Sequence, residues 1–283
     1  MSTVTGSRIV IAPAASDIDP EGYARARRIR SRLLGIGTPI LLLAAWQVAA
    51  MAGAVDARFF PAPSTIFTEG AEMIASGQLM TDVWNTLRGL LIGYTLGFLA
   101  GIATGTLLGL STIARSALEP MLSAIYTIPK LAILPLLLLI FGLGELPKIL
   151  LIALGVFFVI WVTVLEALED MPPTYLEAAQ IFEINGWQRF RHVLMPGILP
   201  SLFTGIRIAL GNAVLIAVAT EFVNGDQGIG YRIWHSWSLF QASHMYVGIV
   251  AVAVMGFLLT YLVKWLGSKL VPWAPRESKR SKS

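Results

Sequence analysis

The chain has 283 residues, of which 55% are hydrophobic and 13% are charged, and its formal net charge is +4. Soluble domains carry about a quarter of charged residues, so this composition indicates a protein that lies in lipid. The lack of cysteine excludes disulfides and thiolate metal sites. The apolar runs are continuous, which excludes the alternating strands of a transmembrane barrel.

In chain order, residues 1–32 form a basic tail, and residues 33–54 form the first predicted transmembrane helix. That run is too long for a signal peptide and lacks a clear small-residue cleavage site. Residues 60–82 predict a short amphipathic segment with a helix that starts at Ser64, after Pro63. Five further runs are long enough to cross a core of about 30 Å as helices, at 83–110, 118–141, 147–167, 198–222 and 245–268.

Lysine and arginine orient these six helices. With the N-terminus in the cytoplasm, cytoplasmic segments hold fifteen of the 21 basic residues, outer segments hold three, and the spans hold three. This bias places both termini in the cytoplasm, including a second basic tail at 269–283. It also places 172–195 on the inner side and 60–82 and 223–244 on the periplasmic side. Basic flanks beside spans signal topology, so we expect no nucleic-acid partner.

The second span carries glycine at every fourth position, at Gly89, Gly93, Gly97, Gly101, Gly105 and Gly109. Residues four apart share a helix face, so the glycines form a ridge without side chains against which another helix can pack closely. We interpret the ridge as a packing surface in a tight bundle within the bilayer. A surface on which helices slide during transport is the alternative.

The cytoplasmic segment 172–195 predicts two short helices with a turn between them. Thr174 and Glu177 have the spacing of a capping box at the start of the first helix. Asn185-Gly186 predicts the stop and turn, after which Arg189 and Arg191 alternate with apolar residues in the second helix. Prolines are expected to break the chain before the fifth span, at Pro196 and Pro200.

Glu177-Ala178-Ala179, with Pro196 and Leu199-Pro200 downstream, resembles the EAA signature of permease subunits of bacterial ABC importers. The resemblance covers roughly residues 60–268. Three stretches resemble the nitrate, sulfonate and taurine branch: the glycine ridge, residues 128–149 and residues 217–234.

The resemblance implies an all-α integral membrane protein with the type I importer permease fold, whose transmembrane domain covers 83–268. The elbow at 172–195 would then dock in a groove of an ATPase subunit, through Glu177, Ala178, Ala179, Glu183, Gly186, Pro196 and Pro200. The family usually has glycine at the position of Glu183. The turn is therefore expected to be displaced toward Asn185-Gly186, which leaves the register of the coupling helix open.

The implied partners are two ATPase subunits, a second copy of the chain in a homodimer, and an external substrate-binding protein, in a bacterial inner membrane. The sequence has no G-x-x-x-x-G-K-[ST] loop, and His192, His235 and His244 do not have the spacing of a metal site. We therefore predict no catalytic residue, no metal and no cofactor in this chain. ATP and magnesium would be bound by the partner ATPase.

Lys130, Arg207 and Glu221 lie within predicted spans, where charge is costly and usually functional. An excess of positive charge would favour anions, so these residues are candidates for the translocation pathway. The alternative for Lys130 and Arg207 is a structural role, bound to backbone carbonyls or to the second copy. For Glu221 we favour a cap that ties the fifth span to the outer loop over a gate. Aromatic residues of that loop anchor the membrane interface or contact the binding protein, at Tyr231, Trp234, Trp237 and Phe240.

The leading hypothesis is a permease subunit of an ATP-driven importer for a small anion, such as an aliphatic sulfonate, taurine or nitrate. One alternative is an importer permease for a solute that is not anionic. Another is a self-contained secondary transporter, which would need acidic residues near the midplane. A membrane scaffold would explain the packing but not the elbow.

Overall fold

The computed structural model describes residues 20–273, and the regular structure in that range is helical. The helices are, in chain order, α1 (Pro20–Met51), α2 (Pro63–Ala75), α3 (Gln78–Leu110), α4 (Thr112–Tyr126), α5 (Leu134–Phe141), α6 (Glu145–Glu169), α7 (Pro173–Ile181), α8 (Gly186–Arg189), α9 (Met195–Asn224), α10 (Ile229–Ser238) and α11 (Ala242–Leu270). A 3-10 turn precedes α5, and a π turn at Phe190–Leu194 joins α8 to α9. Most of the two predicted basic tails lies outside the described residues.

The chain divides into two units, residues 1–65 and 66–283. In the first unit, α1 contains most of the predicted first span. The side chain of Gln47 pairs with Ser64 at the start of α2. The Ser64 backbone N–H donates to Gln47 Oε1 at 3.0 Å, and Gln47 Nε2 donates to Ser64 Oγ at 2.9 Å. The short helix predicted after Pro63 is therefore present and begins at Pro63 itself, where a missing N–H has no cost.

Five helices of the described chain are long and apolar enough to cross a membrane. They are the Ile29–Met51 part of α1, α3, α6, the continuous run Gly186–Asn224, and α11. A sixth crossing exists only if α4 and the segment Lys130–Phe141 are counted together as one span. The predicted number of six therefore depends on how this bent pair is counted.

The third predicted span, 118–141, is not the continuous helix that its hydropathy indicates. α4 ends at Tyr126, and the next segment, Lys130–Phe141, is bent from it by 90°. The break lies at Pro129, which has no N–H to continue the helical ladder and disfavours helical backbone at the residue before it. Hydropathy measures only whether a run belongs in lipid, so it does not detect this bend.

The glycine ridge of α3 lies along α6, and the two helices run parallel. A Cβ added at Gly93, Gly97, Gly101 or Gly105 would lie only 2.8–2.9 Å from the Cβ of a β-branched residue of α6. Those residues also recur every fourth position, as Ile152, Val156, Ile160 and Val164. Each glycine thus lets a branched side chain reach the α3 backbone, which is how helices hold together where no hydrophobic drive exists between them.

α6 also packs against α9. A Cβ added at Gly205 of α9 would lie 2.6 Å from the side chain of Thr163 of α6. Between α3 and α9, Tyr94 Oη donates to the Ile206 carbonyl at 2.9 Å. α6 therefore contacts both α3 and α9, and it is the central helix of the second unit.

Candidate functional site

The segment 172–195, called the elbow below, folds into α7, α8 and the π turn. α7 begins at Pro173, because proline is suited to the first turn of a helix. Thr174 is consequently the second residue of the helix instead of its N-cap. The predicted capping box between Thr174 and Glu177 is therefore wrong, and Glu177 stays exposed on α7.

α7 ends in a left-handed turn at Glu183, whose φ is 50°. The Ile184 N–H reaches back to the Ala179 carbonyl at 3.1 Å, which is the hydrogen bond of a Schellman motif. The expected displacement of the turn to Asn185-Gly186 is therefore wrong. The turn lies at the position where the resemblance places glycine, so the register of the helix is kept although a glutamate occupies that position.

Asn185 begins α8 instead of ending α7. Its side chain accepts a hydrogen bond from the Gln188 N–H at 3.0 Å, so it is the N-cap. Gly186 is the first residue of α8, and no described atom lies within 4 Å of a Cβ added there. The surroundings of Gly186 are open, and the fold itself does not require glycine at this position.

The elbow exposes a group of large apolar side chains, called the elbow surface below. Its members are 52–79% exposed and are Tyr175, Ile181, Phe182 and Trp187. Ala179 points the other way and is 2% exposed, while the side chain of Ala178 lies outside the described residues. Large apolar groups gathered on an otherwise polar loop mark a surface for a partner or a membrane.

The two prolines downstream of the elbow do not break the chain as predicted. α9 starts at Met195 and contains both Pro196 and Pro200. Pro200 has no N–H to offer the Pro196 carbonyl one turn earlier, and the indole Nε1 of Trp273 donates to that carbonyl instead, at 3.3 Å. The helix therefore continues through Pro200 from the elbow into the span.

A buried polar group lies near the other end of α9, about 39 Å along the helix from Met195. We call it the Glu221 cluster, and its members are Asp82, Thr86, Lys148, Glu221 and Arg232. Glu221 is 2% exposed. Its Oε1 accepts from Lys148 Nζ at 3.1 Å, and its Oε2 accepts from Thr86 Oγ1 at 2.9 Å and from the Gly230 N–H at 2.8 Å.

The rest of the Glu221 cluster fixes the start of α10. Thr86 Oγ1 accepts from the Ile229 N–H at 2.9 Å, and Asp82 Oδ2 accepts from Arg232 Nε at 2.8 Å. A Cβ added at Gly228 would lie 2.6 Å from the Glu221 carboxylate, so glycine lets the loop close over it. These contacts tie α3, α6, α9 and α10 together, which is the capping role favoured for Glu221.

A cavity of about 240 Å³ lies beside the Glu221 cluster. Its lining includes Arg88, Glu145, Lys148 and Glu221, which form two ion pairs: Arg88 with Glu145 at 2.8 Å and Lys148 with Glu221 at 3.1 Å. Asp226 also lines the cavity and is exposed. The basic groups of the lining are thus neutralised, so this cavity is not an attractive site for an anion.

Lys130 lies at the break in the third span. Its Nζ donates to the carbonyls of Ile125, Tyr126 and Ile128 at 2.8–3.1 Å and lies 4.3 Å from the centre of the Phe158 ring. These carbonyls lie where α4 ends, and a cation at a helix C-terminus is favourable. The contacts correspond to the structural alternative for Lys130.

Arg207, half-buried in α9, differs from Lys130. Its Nε is buried, and no hydrogen-bond partner for it occurs among the described residues. The three predicted pathway residues are therefore not brought together. Glu221 and Lys130 each have a set of local partners, and Arg207 has none among the described residues.

Comparison with known proteins decides the family. The family model "Binding-protein-dependent transport system inner membrane component" matches residues 93–272. The chain belongs to this family. It is an ABC importer permease and a multi-pass protein of a bacterial inner membrane.

Two relatives and one solved structure illustrate the match. This permease is 34% identical to SsuC of Bacillus subtilis (strain 168), named as an aliphatic sulfonates transport permease, over 84% of this chain and 87% of that one. It is 32% identical to TauC of Escherichia coli (strain K12), a taurine transport system permease, over 86% and 90%. The inward-facing MetNI methionine ABC transporter matches with a TM-score of 0.58 and 25% identity, over 71% of this chain and 98% of that one.

Most of the Glu221 cluster of this permease was missed by sequence reasoning. Lys148 is one of the three basic residues that the sequence assigns to outer segments, with Arg58 and Arg232, whereas in the structure it lies in α6 and is 7% exposed. Asp82 and Arg232 are 150 positions apart and show no local pattern. One signal was available: Gly89 begins the glycine ridge, and the side chain of Lys148 lies against it.

Among the described residues no group of three or more His, Cys, Asp or Glu could hold a metal ion.

Proposed function

We infer that this permease imports a small anionic solute, which an external binding protein delivers, and that ATP hydrolysis on separate subunits drives the transport through the elbow. The observation that carries the inference is the elbow surface. Its four apolar side chains are exposed at a turn that the Schellman motif fixes in place. Burial of such side chains against a protein groove is favourable by about 25 cal/mol for each Å².

The anionic class of the solute is supported by the relatives. SsuC and TauC are named for sulfonates and taurine, and NrtB of Leptolyngbya laminosa, 31% identical over 69% of this chain, is named for nitrate. The solutes in these names carry an oxyanion group. An importer of a solute without a sulfonate or nitrate group is the alternative, and the methionine transporter among the structural matches is an example of that alternative.

The proposed assembly has two copies of this chain and two ATPase subunits. ATP and magnesium bind to those subunits, so the permease needs neither a cofactor nor a catalytic residue of its own. ATP must bind one conformation of the assembly more tightly than the other, because a ligand shifts an equilibrium only by its differential affinity. The elbow, continuous with α9, would carry that difference into the span.

The lack of cysteine allows a direct test of the elbow and of the orientation. Phe182 of the elbow and Phe240 after α10 are 76% and 84% exposed, so Phe182→Cys and Phe240→Cys form a matched pair. We expect a membrane-impermeant maleimide to label Phe240→Cys in intact cells, and Phe182→Cys only after permeabilisation. A bifunctional reagent should cross-link Phe182→Cys alone to the ATPase. Labelling of Phe182→Cys in intact cells would contradict the proposal.

A second test concerns coupling. Gly186 and Gly256 both have no described atom near an added Cβ, so Gly186→Phe and Gly256→Phe should both fold. In vesicles that contain the companion ATPase and binding protein, Gly186→Phe should abolish uptake of ethanesulfonate, taurine or nitrate, whereas Gly256→Phe retains it. Uptake by the permease alone would instead indicate a secondary transporter. Uptake of methionine without uptake of ethanesulfonate, taurine or nitrate would favour the alternative solute class.

A further inference from the structure

Arg207 differs from the basic side chains of the bundle that have partners in the structure. Four of these form ion pairs, and Lys130 binds carbonyls. The ion pairs are Arg88 with Glu145, Arg115 with Glu119 and Glu169, Lys148 with Glu221, and Arg232 with Asp82. Among the described residues Arg207 has neither an ion pair nor a hydrogen bond, and its Nε is shielded from solvent. Arg189 also has a buried Nε without a partner, but it lies in the elbow and not in α9.

The depth of Arg207 makes this isolation costly. It lies twelve residues after the start of α9 and seventeen before its end, or about 18 Å and 26 Å along the axis. A hydrocarbon core is about 30 Å thick, and in the predicted span 198–222 Arg207 lies nine residues, or about 14 Å, from the inner end. A guanidinium stays charged in proteins, and lipid tails have no acceptor for it. The described residues supply no acceptor for it, so we look for its partner outside them.

We propose that Arg207 binds the oxyanion group of the transported solute during its passage along α9. This inference rests on the proposed function. The planar guanidinium presents parallel N–H donors that match two oxygens of one trigonal or tetrahedral oxyanion, such as a nitrate or a sulfonate. The two terminal Nη groups form that fork, because Nε is shielded from solvent. Lys130 and Glu221 are consequently structural residues, and the paired charges beside the Glu221 cluster do not select the solute.

The competing partner is an acceptor supplied by the second copy of the permease. The two possibilities predict different losses when Arg207 is replaced by an uncharged residue. If the second copy supplies the acceptor, loss of the guanidinium weakens assembly. If the solute supplies it, assembly and ATP hydrolysis persist and anion movement is lost.

The test uses the full assembly in vesicles with taurine and nitrate as probes, and it compares Arg207→Gln, Arg207→Lys and the paired control Arg88→Gln. We expect Arg207→Gln to lower anion uptake about tenfold or more, the loss of a charge-assisted hydrogen-bond pair, while size-exclusion profiles and binding-protein-stimulated ATP hydrolysis stay at the wild-type level. Arg207→Lys keeps the charge but loses the fork, so its uptake should be intermediate. Arg88→Gln should transport normally.

Wild-type uptake by Arg207→Gln would overturn this inference and leave the proposed function intact. Loss of assembly in both Arg207 variants would also overturn it, in favour of a contact with the second copy. If only Arg207→Gln fails to assemble, the uptake by Arg207→Lys provides the test. Wild-type uptake by Arg207→Lys would contradict the binding of an oxyanion by the guanidinium fork. Failure of the wild-type assembly to import any anion counts against the proposed function itself.

Discussion

The two ends of α9 are built in opposite ways. At the Glu221 cluster, Glu221 and Lys148 are each under 8% exposed, and both oxygens of the carboxylate have donors. At the elbow, Phe182 and Trp187 are more than two-thirds exposed, and Glu183 holds a left-handed turn without glycine. The first region is complete within one chain. The second is stable but incomplete, which is expected of a surface that a partner covers.

The largest effect should come from a break in the Glu221 cluster. Lys148→Met leaves a buried carboxylate without its counter-ion, so we expect a loss of about 3–5 kcal/mol in the free energy of unfolding. The exposed pair of Arg88 and Glu145 provides the control, since Arg88→Met should cost at most about 1 kcal/mol. Thermal unfolding in detergent measures both. Equal losses would show that burial does not distinguish the two pairs.

An intermediate effect is expected at the N-cap of the elbow. Asn185→Ala removes the acceptor for the Gln188 N–H, so α8 should lose about 1 kcal/mol of local stability. Hydrogen exchange of the α8 amides should become faster by roughly fivefold, while exchange in α6 stays unchanged. Gln188→Ala keeps the cap and serves as the control. An equal acceleration in that variant would show that the cap does not stabilise the elbow.

The smallest effect should have the opposite sign. Glu183→Gly relieves a left-handed conformation that costs a non-glycine residue about 1–2 kcal/mol, and the added freedom of the unfolded chain offsets up to about 1 kcal/mol of this gain. The elbow should therefore become slightly more stable. Glu177→Gly, in the middle of the same helix, should lose about 1 kcal/mol. Limited proteolysis within 172–195 compares the two, and faster cleavage of Glu183→Gly would contradict the assigned turn.

The sequence by itself determined the fold class, the membrane setting, the family and the place of the elbow. Each of these depends on local composition or on spacing along one helix, such as the four-residue glycine repeat. Local pattern was insufficient where two nearby residues favour different backbone structures. Proline at 173 displaced the helix start from Thr174, and Pro129 bent a run that hydropathy alone shows as one span.

Only the tertiary structure decided which charges are paired. Thr86, Lys148 and Glu221 come from three helices, and their contacts span up to 135 positions of sequence. The sequence shows that a span contains a charged residue, but it does not show whether that residue has a partner. The partner depends on which helix faces meet, and that is set by packing across the whole bundle. For this reason Lys130, Glu221 and Arg207 look alike in the sequence, whereas in the structure the first two have local partners and Arg207 has none among the described residues.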